Sequence, residues 1–382
     1  MTESAISEWL AIAQAGQDKP PKKDIERVIA WVNDLVAERH IEALACDLHI
    51  LNPEKMSIAA MVAVYRTSAI LKDEIPLWQD FEKKLRAELS RRNRDDVTLE
   101  VGPDALDNER VAMFEAFALT LRSTPPEIDT KIQKVAPLSR RAKVNQAFAE
   151  AWLSNLLEKI RLSIPAAEGI LFRGDLPSGK EAEASDLIGT YDVIFQDSLA
   201  ARATDFDQFE RQLLQTHATI LKARRDKLPG RYRTFRVGVG QYDFVDPNKV
   251  RQTLQAGFEI LTTITAPFSR AIYLGFLITE VHPFMDGNGR VSRLMMNAEL
   301  ARASLPRIVL PENLWAGYME GLMDLSLHGD TEELVTILEI ALAWSSSVPW
   351  GNRKKVLKAI GEAKSTMHDE KETKAWITKY LT

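Results

Sequence analysis

The sequence predicts a mainly α-helical protein with one small β-hairpin and helical accessory regions at both ends. Apolar residues recur at i, i+3, i+4 and i+7 through most of the 382 residues. β-branched and aromatic residues gather in a single short stretch at 234–240. Proline, glycine and serine punctuate the chain between periodic segments rather than between alternating ones. Length admits two or three domains, and 45% hydrophobic with 27% charged residues is ordinary for a globular protein.

From residue 22 to about 94 the pattern is helical. Ile25, Val28, Ile29, Val32, Leu35 and Val36 form one stripe, Asn52-Pro53 reads as cap and first helical residue, and a further helix runs from about Pro76 through Phe81, Leu85 and Leu89. Arg91, Arg92 and Arg94 followed by Asp95 and Asp96 read either as a solvated helix end or as a small binding patch. Residues 97–101 are a short strand or a linker, closed by Gly102-Pro103. A helix over 108–121 ends at Ser123-Thr124-Pro125-Pro126, and another spans 146–162. Pro165 fits only a first helical turn, so the next helix begins near Ile164.

Residues 174–179 are a turn, after which 181–196 and 204–222 are helical. The second of these puts Phe206, Phe209, Leu213 and Ile220 on one face, with His217 among them as a buried, hydrogen-bonded histidine. Asp246-Pro247 caps and starts a helix continued inward by Val250, Leu254, Phe258 and Leu261. The run 272–281 is a buried helix, and Val291, Leu294, Met295 and Ala298 stripe another. Leu305-Pro306 breaks the chain before a helix containing Trp315, Tyr318 and Leu322 and one more reaching Trp344. Residues 345–351 read as a linker to one or two charged helices.

The net charge of -5 gives no general attraction to nucleic acid or acidic membranes. One cysteine, Cys46, builds neither an internal disulfide nor a cysteine metal site. His40, His49, His217, His328 and His368 show no zinc-ligand spacing. No apolar run spans a bilayer and residues 1–19 do not read as a leader, so a cytoplasmic protein is expected, without nucleic-acid or membrane partners.

The chemistry concentrates in His282-Pro283-Phe284-Met285-Asp286-Gly287-Asn288-Gly289-Arg290-Val291-Ser292-Arg293. A loop here feeds a helix N-terminus, where unpartnered amides and the macrodipole favour an anion. Gly287, Asn288 and Gly289 tolerate positive φ and can turn successive N–H groups inward. Arg290 and Arg293 are neighbours on the first turn, within reach of one polyphosphate. Asp286 offers the hard oxygen that Mg²⁺ prefers. His282 can take a proton near neutral pH.

This segment resembles the Fic-family signature His-x-Phe-x-(Asp or Glu)-Gly-Asn-Gly-Arg-x-x-Arg at every specified position. The resemblance implies a Fic-type helical core and transfer of AMP from ATP to a Ser, Thr or Tyr hydroxyl of a protein, self-modification included. It implies His282 as base, Asp286 on the Mg²⁺ that bridges phosphates, and Gly287, Asn288, Gly289 and Arg290 around the phosphates. Arg293 would reach the γ-phosphate, Phe284 would anchor the loop, and Tyr318 would either help shape the adenine pocket or pack in the core.

Two further segments are similar to family features. Pro229-Gly230-Arg231-Tyr232-Arg233 resembles the lead-in to a target-docking flap, here Thr234, Phe235, Arg236, Val237 and Gly238, which would pair edge-on with an extended target. A hairpin that merely covers the core is the plainer reading. Glu168-Gly169 resembles the end of a regulatory helix of pattern (Ser or Thr)-x-x-x-Glu-(Gly or Asn), with Ile164 where a hydroxyl residue is expected. The resemblance implies a Glu168–Arg293 pair that holds Arg293 off the γ-phosphate; the alternative is a surface glutamate beside a turn. The expected organisation is 1–100 helical accessory, 101–162 helical connector, 163–344 Fic core and 345–382 helical extension. Removal of AMP from a modified protein, and a nucleotide-sensing interaction protein without turnover, are the rival functions.

Overall fold

A computed structural model describes residues 106–131, 134–239, 242–366 and 370–380. The helices expected between 22 and 94, Cys46, the arginine cluster at 91–94 and the strand or linker at 97–101 lie outside the described residues, and with them the accessory domain 1–100. Everything described belongs to one compact unit, 103–382.

That unit is built around two helices, α8 (Pro267–Val281) and α9 (Asn288–Arg302), whose side chains are buried almost throughout. Pro267 starts α8 with its missing N–H where no partner is needed. The remaining helices shield this pair, which is why α8 and α9 are nearly uniform in burial rather than striped. From one side comes α1 (Asn108–Ser123), capped by the Asp107 side chain at 3.2 Å from the Arg110 amide. Its Phe114 and Phe117 meet Tyr273 and Phe276 at centroid distances of 5.4 to 6.4 Å, aromatic pairs that add to the area buried. The short α2 (Glu127–Lys131) follows, and its Asp129 caps α8 by accepting from the Phe268 and Ser269 amides.

On the other side are α3 (Arg140–Leu157), α4 (Ile164–Glu168) with its π-turn extension Gly169–Arg173, α5 (Glu181–Phe195) and α6 (Phe206–Ile220). The hairpin of β1 (Gly238–Val239) and β2 (Tyr242–Asp243) pairs Gly238 with Asp243 and Val239 with Tyr242. Then come α7 (Val250–Thr262), α10 (Trp315–His328), α11 (Glu332–Ser347), α12 (Arg353–Ser365) and α13 (Glu370–Thr378). No helix among the described residues is long and apolar enough to cross a membrane.

Four expectations need correction. The helix expected at 146–162 stops at Leu157, because Lys159 adopts the left-handed φ of 65°. Only Gly238 and Val239 of the expected strand pair, with a further bond from the Phe244 amide to the Val237 carbonyl at 3.0 Å. Residues 345–351 are not a free linker: α11 runs to Ser347, and buried Ser345 accepts from the Val309 amide at 2.8 Å. Residue 163 is no division either, since α3 is buried on most of its surface within the same unit.

Candidate active site

The site begins where α8 ends. His282 caps that helix in the left-handed region, φ 51° and ψ 57°, a conformation costing an L-residue about 1 kcal/mol. The cap folds the imidazole back so that Nδ1 lies 3.2 Å from the Thr279 carbonyl. A carbonyl only accepts, so Nδ1 carries the hydrogen and Nε2 keeps its lone pair. Phe244 from the hairpin stacks on the ring at 3.9 Å and 13°. Burial, with Arg233 nearby, pushes the His282 pKa down to about 4. The ring is therefore neutral at physiological pH and able to accept a proton.

The loop after His282 is fixed from three directions. Asn288 reaches back, accepting from the Phe284 amide at 2.9 Å and donating to the Phe284 carbonyl at 2.8 Å. His217 accepts from the Gly230 amide at 2.9 Å, which leaves its Nε2–H to donate to the Asp286 carbonyl at 3.0 Å. Its ring also stacks on buried Phe284 at 3.8 Å. It is the buried, hydrogen-bonded histidine the helix pattern suggested, and burial lowers its pKa to about 4. Arg233 is buried and donates to the carbonyls of His282 at 2.7 Å, Phe235 at 2.8 Å and Val245. One guanidinium thus clasps the hairpin to the loop, and burial lowers its pKa to about 10. Gly287, at φ 80°, makes the turn into α9, with Leu221 only 3.0 Å from where a Cβ would sit.

The first-turn amides of α9, those of Asn288, Gly289 and Arg290, have no intrahelical acceptor; the first backbone bond runs from Val291 to Gly287 at 2.9 Å. Arg290 donates to Asp186 of α5 at 2.8 Å, to Asn155 of α3 at 3.3 Å and weakly to Asp286 at 3.4 Å. Arg224 donates to the same Asp186 at 2.7 Å. Asp186 is fully buried, and desolvation raises its pKa in spite of both arginines. Asn288 therefore spends its side chain on the loop itself, leaving only backbone for an anion.

Arg293 is not paired with Glu168. It donates to the Ser154 hydroxyl and carbonyl, each at 3.0 Å, and to Glu158 at 2.8 Å. Glu168 instead accepts from Arg353 of α12 at 2.6 and 3.0 Å. The expected pair fails because α4 ends against α12, whereas the end of α3 lies over α9. A Cβ placed on Gly289 would fall 2.3 Å from the Glu158 carboxylate, so that carboxylate rests directly on the amide end of α9. Ser154, Asn155, Asp186 and Glu158 were not singled out from the sequence. The signal was present in Ser154-Asn155-Leu156-Leu157-Glu158-Lys159: hydroxyl and carboxylate four apart, then a residue in the left-handed region that the pattern's glycine or asparagine would favour.

Beside this helix end lies a cavity of about 370 Å³ lined by Glu158, Lys159, Ile160, Arg161, Lys180, Glu183, Arg224, Asp286 and Arg290. The Asp286 carboxylate is one-third exposed; Oδ1 accepts from the Gly287 amide at 2.6 Å, leaving Oδ2 for a cation. Among the described residues no cluster of three or more His, Cys, Asp or Glu forms a metal cage. The donor set therefore suits an ion that takes most of its ligands from phosphate and water, as Mg²⁺ does. Tyr318 is buried against Trp315 at 5.7 Å and is not among the residues lining this cavity. Of the hairpin lead-in, Thr234 and Arg236 are exposed while Phe235, Val237 and Gly238 are half-buried, and Arg236 pairs with Asp246 at 2.8 Å.

Residues 205–300 match the family model described as the Fic/DOC family. The chain is 29% identical over 242 residues to a protein adenylyltransferase, fic-1, of Caenorhabditis elegans, covering 58% of this chain and 47% of that protein. It is 32% identical over 242 residues to the fic-1 protein adenylyltransferase of Caenorhabditis briggsae, covering 58% and 48% respectively. The chain spans about half the length of the curated relatives it matches. A solved fragment of Fic-1 from C. elegans aligns with a TM-score of 0.43 at 18% identity, covering 96% of this chain and 99% of that one.

Proposed function

We propose, from the match of residues 205–300 to the Fic/DOC family model, that this chain is a protein adenylyltransferase moving AMP from MgATP to a Ser, Thr or Tyr hydroxyl of a protein. The observation that carries this is the free Nε2 of a neutral His282 next to a helix start whose first three amides lack acceptors. Nε2 takes the proton of the acceptor hydroxyl as its oxygen bonds to the α-phosphorus. The bond from that phosphorus to the bridging oxygen breaks, and pyrophosphate leaves with the electron pair. Charge is stabilised by the α9 amides and by Arg290, which Asp186 and Asn155 hold in place. Asp286 would hold Mg²⁺, which neutralises phosphate charge when bound. Residues 234–239 would present the acceptor by edge pairing, since the hairpin is clasped to the His282 carbonyl through Arg233.

His282→Ala should lower transfer of labelled AMP by about a thousandfold, with ATP affinity kept within about twofold. Transfer at the wild-type rate would remove His282 from the mechanism. The partner is a hydroxyl-bearing protein, self-modification included, and the same reading assigns the protein to the cytoplasm, with no nucleic acid bound.

The contacts of Glu158 support a restrained state. Glu158 occupies the amide end of α9 and neutralises Arg293, both of which a triphosphate needs. The same carboxylate lines the cavity, which supports a second reading in which Glu158 activates water to remove AMP from a modified protein. Incubating an AMP-modified target with wild type and Glu158→Gly separates them: release that depends on Glu158 favours removal, and transfer that increases without it favours restraint.

A further inference from the structure

The cavity beside Asp286 and Arg290 has a second wall that the loop 282–293 does not supply. Lys159 and Arg161 come from the segment after α3, Lys180 caps α5, and Arg224 follows α6. Arg224 is committed to Asp186. Lys159, Arg161 and Lys180 have no ion-pair partner among the described residues. Of the three carboxylates in the wall, Glu158 engages Arg293, Asp286 engages the Gly287 amide and Arg290, and Glu183 acts on Arg224, so five cations face three carboxylates. Like charges converging on one cavity repel each other, and a ligand with several negative charges relieves that repulsion.

Lys159 sharpens the point. It stands at φ 65°, where glycine would be free of strain and a lysine costs about 1 kcal/mol. The strained lysine lines the cavity immediately after the carboxylate that blocks Arg293.

We infer that Lys159, Arg161 and Lys180, with Arg224, form a polyphosphate subsite that holds the terminal phosphates of the donor and then the departing pyrophosphate. The name of the donor rests on the AMP-transfer reading; the binding of a polyphosphate does not. While Glu158 occupies Arg293, these cations are the ones left to meet the β- and γ-phosphates. The subsite selects for the length of the phosphate chain and is indifferent to the base.

The test is calorimetric titration of the full chain with inorganic tripolyphosphate and pyrophosphate. Wild type should bind tripolyphosphate more tightly than pyrophosphate, with affinity falling steeply with salt. Lys159→Gly, Arg161→Ala and Lys180→Ala should each weaken tripolyphosphate about threefold to tenfold, and the triple variant about a hundredfold. Lys159→Gly should raise the melting temperature while weakening binding, a split that a structural role would not produce. Lys358→Ala, on exposed α12 and outside the cavity, should leave affinity unchanged. A triple variant that binds tripolyphosphate as wild type does, a wild type that does not bind it, or an equal loss in Lys358→Ala would overturn the subsite. AMP transfer measured on the same proteins separates the two readings. Transfer with cavity variants of unchanged affinity defeats the subsite alone, and tripolyphosphate binding with no transfer even after Glu158→Gly defeats the transferase reading alone.

Discussion

Glu158 and Glu168 stand ten residues apart, each at the end of a helix and each paired with an arginine, yet they serve different parts of the molecule. Glu158 follows α3 and meets Arg293 on the first turn of α9, at the anion-binding end of the site. Glu168 ends α4 and meets Arg353 of α12, whose guanidinium also lies 3.6 Å from the centre of the Phe148 ring on α3. The first pair sits where a phosphate would go. The second braces α12 against α3, the helix that Glu158 follows. What an acidic residue at a helix end does here is decided by the element opposite it.

The largest expected effect bears on the loop side of that comparison. His217, fully buried, accepts from the Gly230 amide only while neutral, because protonation would put a hydrogen on the accepting Nδ1. Its folded pKa of about 4 lies below the unfolded value of 6.5, so the unfolded chain binds more protons between those values. Stability is complete above pH 6.5 and should fall by roughly 3 kcal/mol as pH drops to 4. Urea titrations of wild type and His217→Gln check this; equal pH slopes for the two would contradict it.

Next in size, Glu158→Gly should free Arg293 and the amides of α9, raising self-modification with labelled ATP at least about tenfold, the factor of ~1.4 kcal/mol. Glu168→Gly should leave the rate within about twofold. The reverse pattern would restore the regulatory role to Glu168. Arg353→Ala removes two hydrogen bonds to one Glu168 oxygen and a close cation–π contact together, and should cost about 2 kcal/mol in chemical denaturation without increasing transfer. If transfer rises with it, the brace on α3 is part of the restraint. Glu168→Gln, the smallest change, should cost about 1 kcal/mol or less because that pair is partly exposed.

Much of the fold was legible because burial repeats at the helical period. The stripes at 206–220 and 250–261 are helices α6 and α7, and Pro165, Pro247 and the glycine of the 282–293 loop mark breaks as expected. Lys159 was not legible: lysine carries no left-handed signal, so α3 read as running on to 162. That error hid Glu158 inside an apparent helix and left Glu168 as the nearest match. Nor was the side-chain role of Asn288 legible: its amide closes a five-residue loop with Phe284, leaving its backbone N–H for an anion.

The twelve residues from His282 to Arg293 are local chemistry: a left-handed cap, a glycine turn and a helix start follow from residues adjacent in the chain, so the sequence alone determined them. Tertiary structure alone decided the partners of that loop. Asp186, Asn155, Ser154 and Glu158 lie more than a hundred positions from Arg290 and Arg293. An ion pair across that distance leaves no periodicity to read, since only the packing of α3 and α5 on α9 brings the charges together.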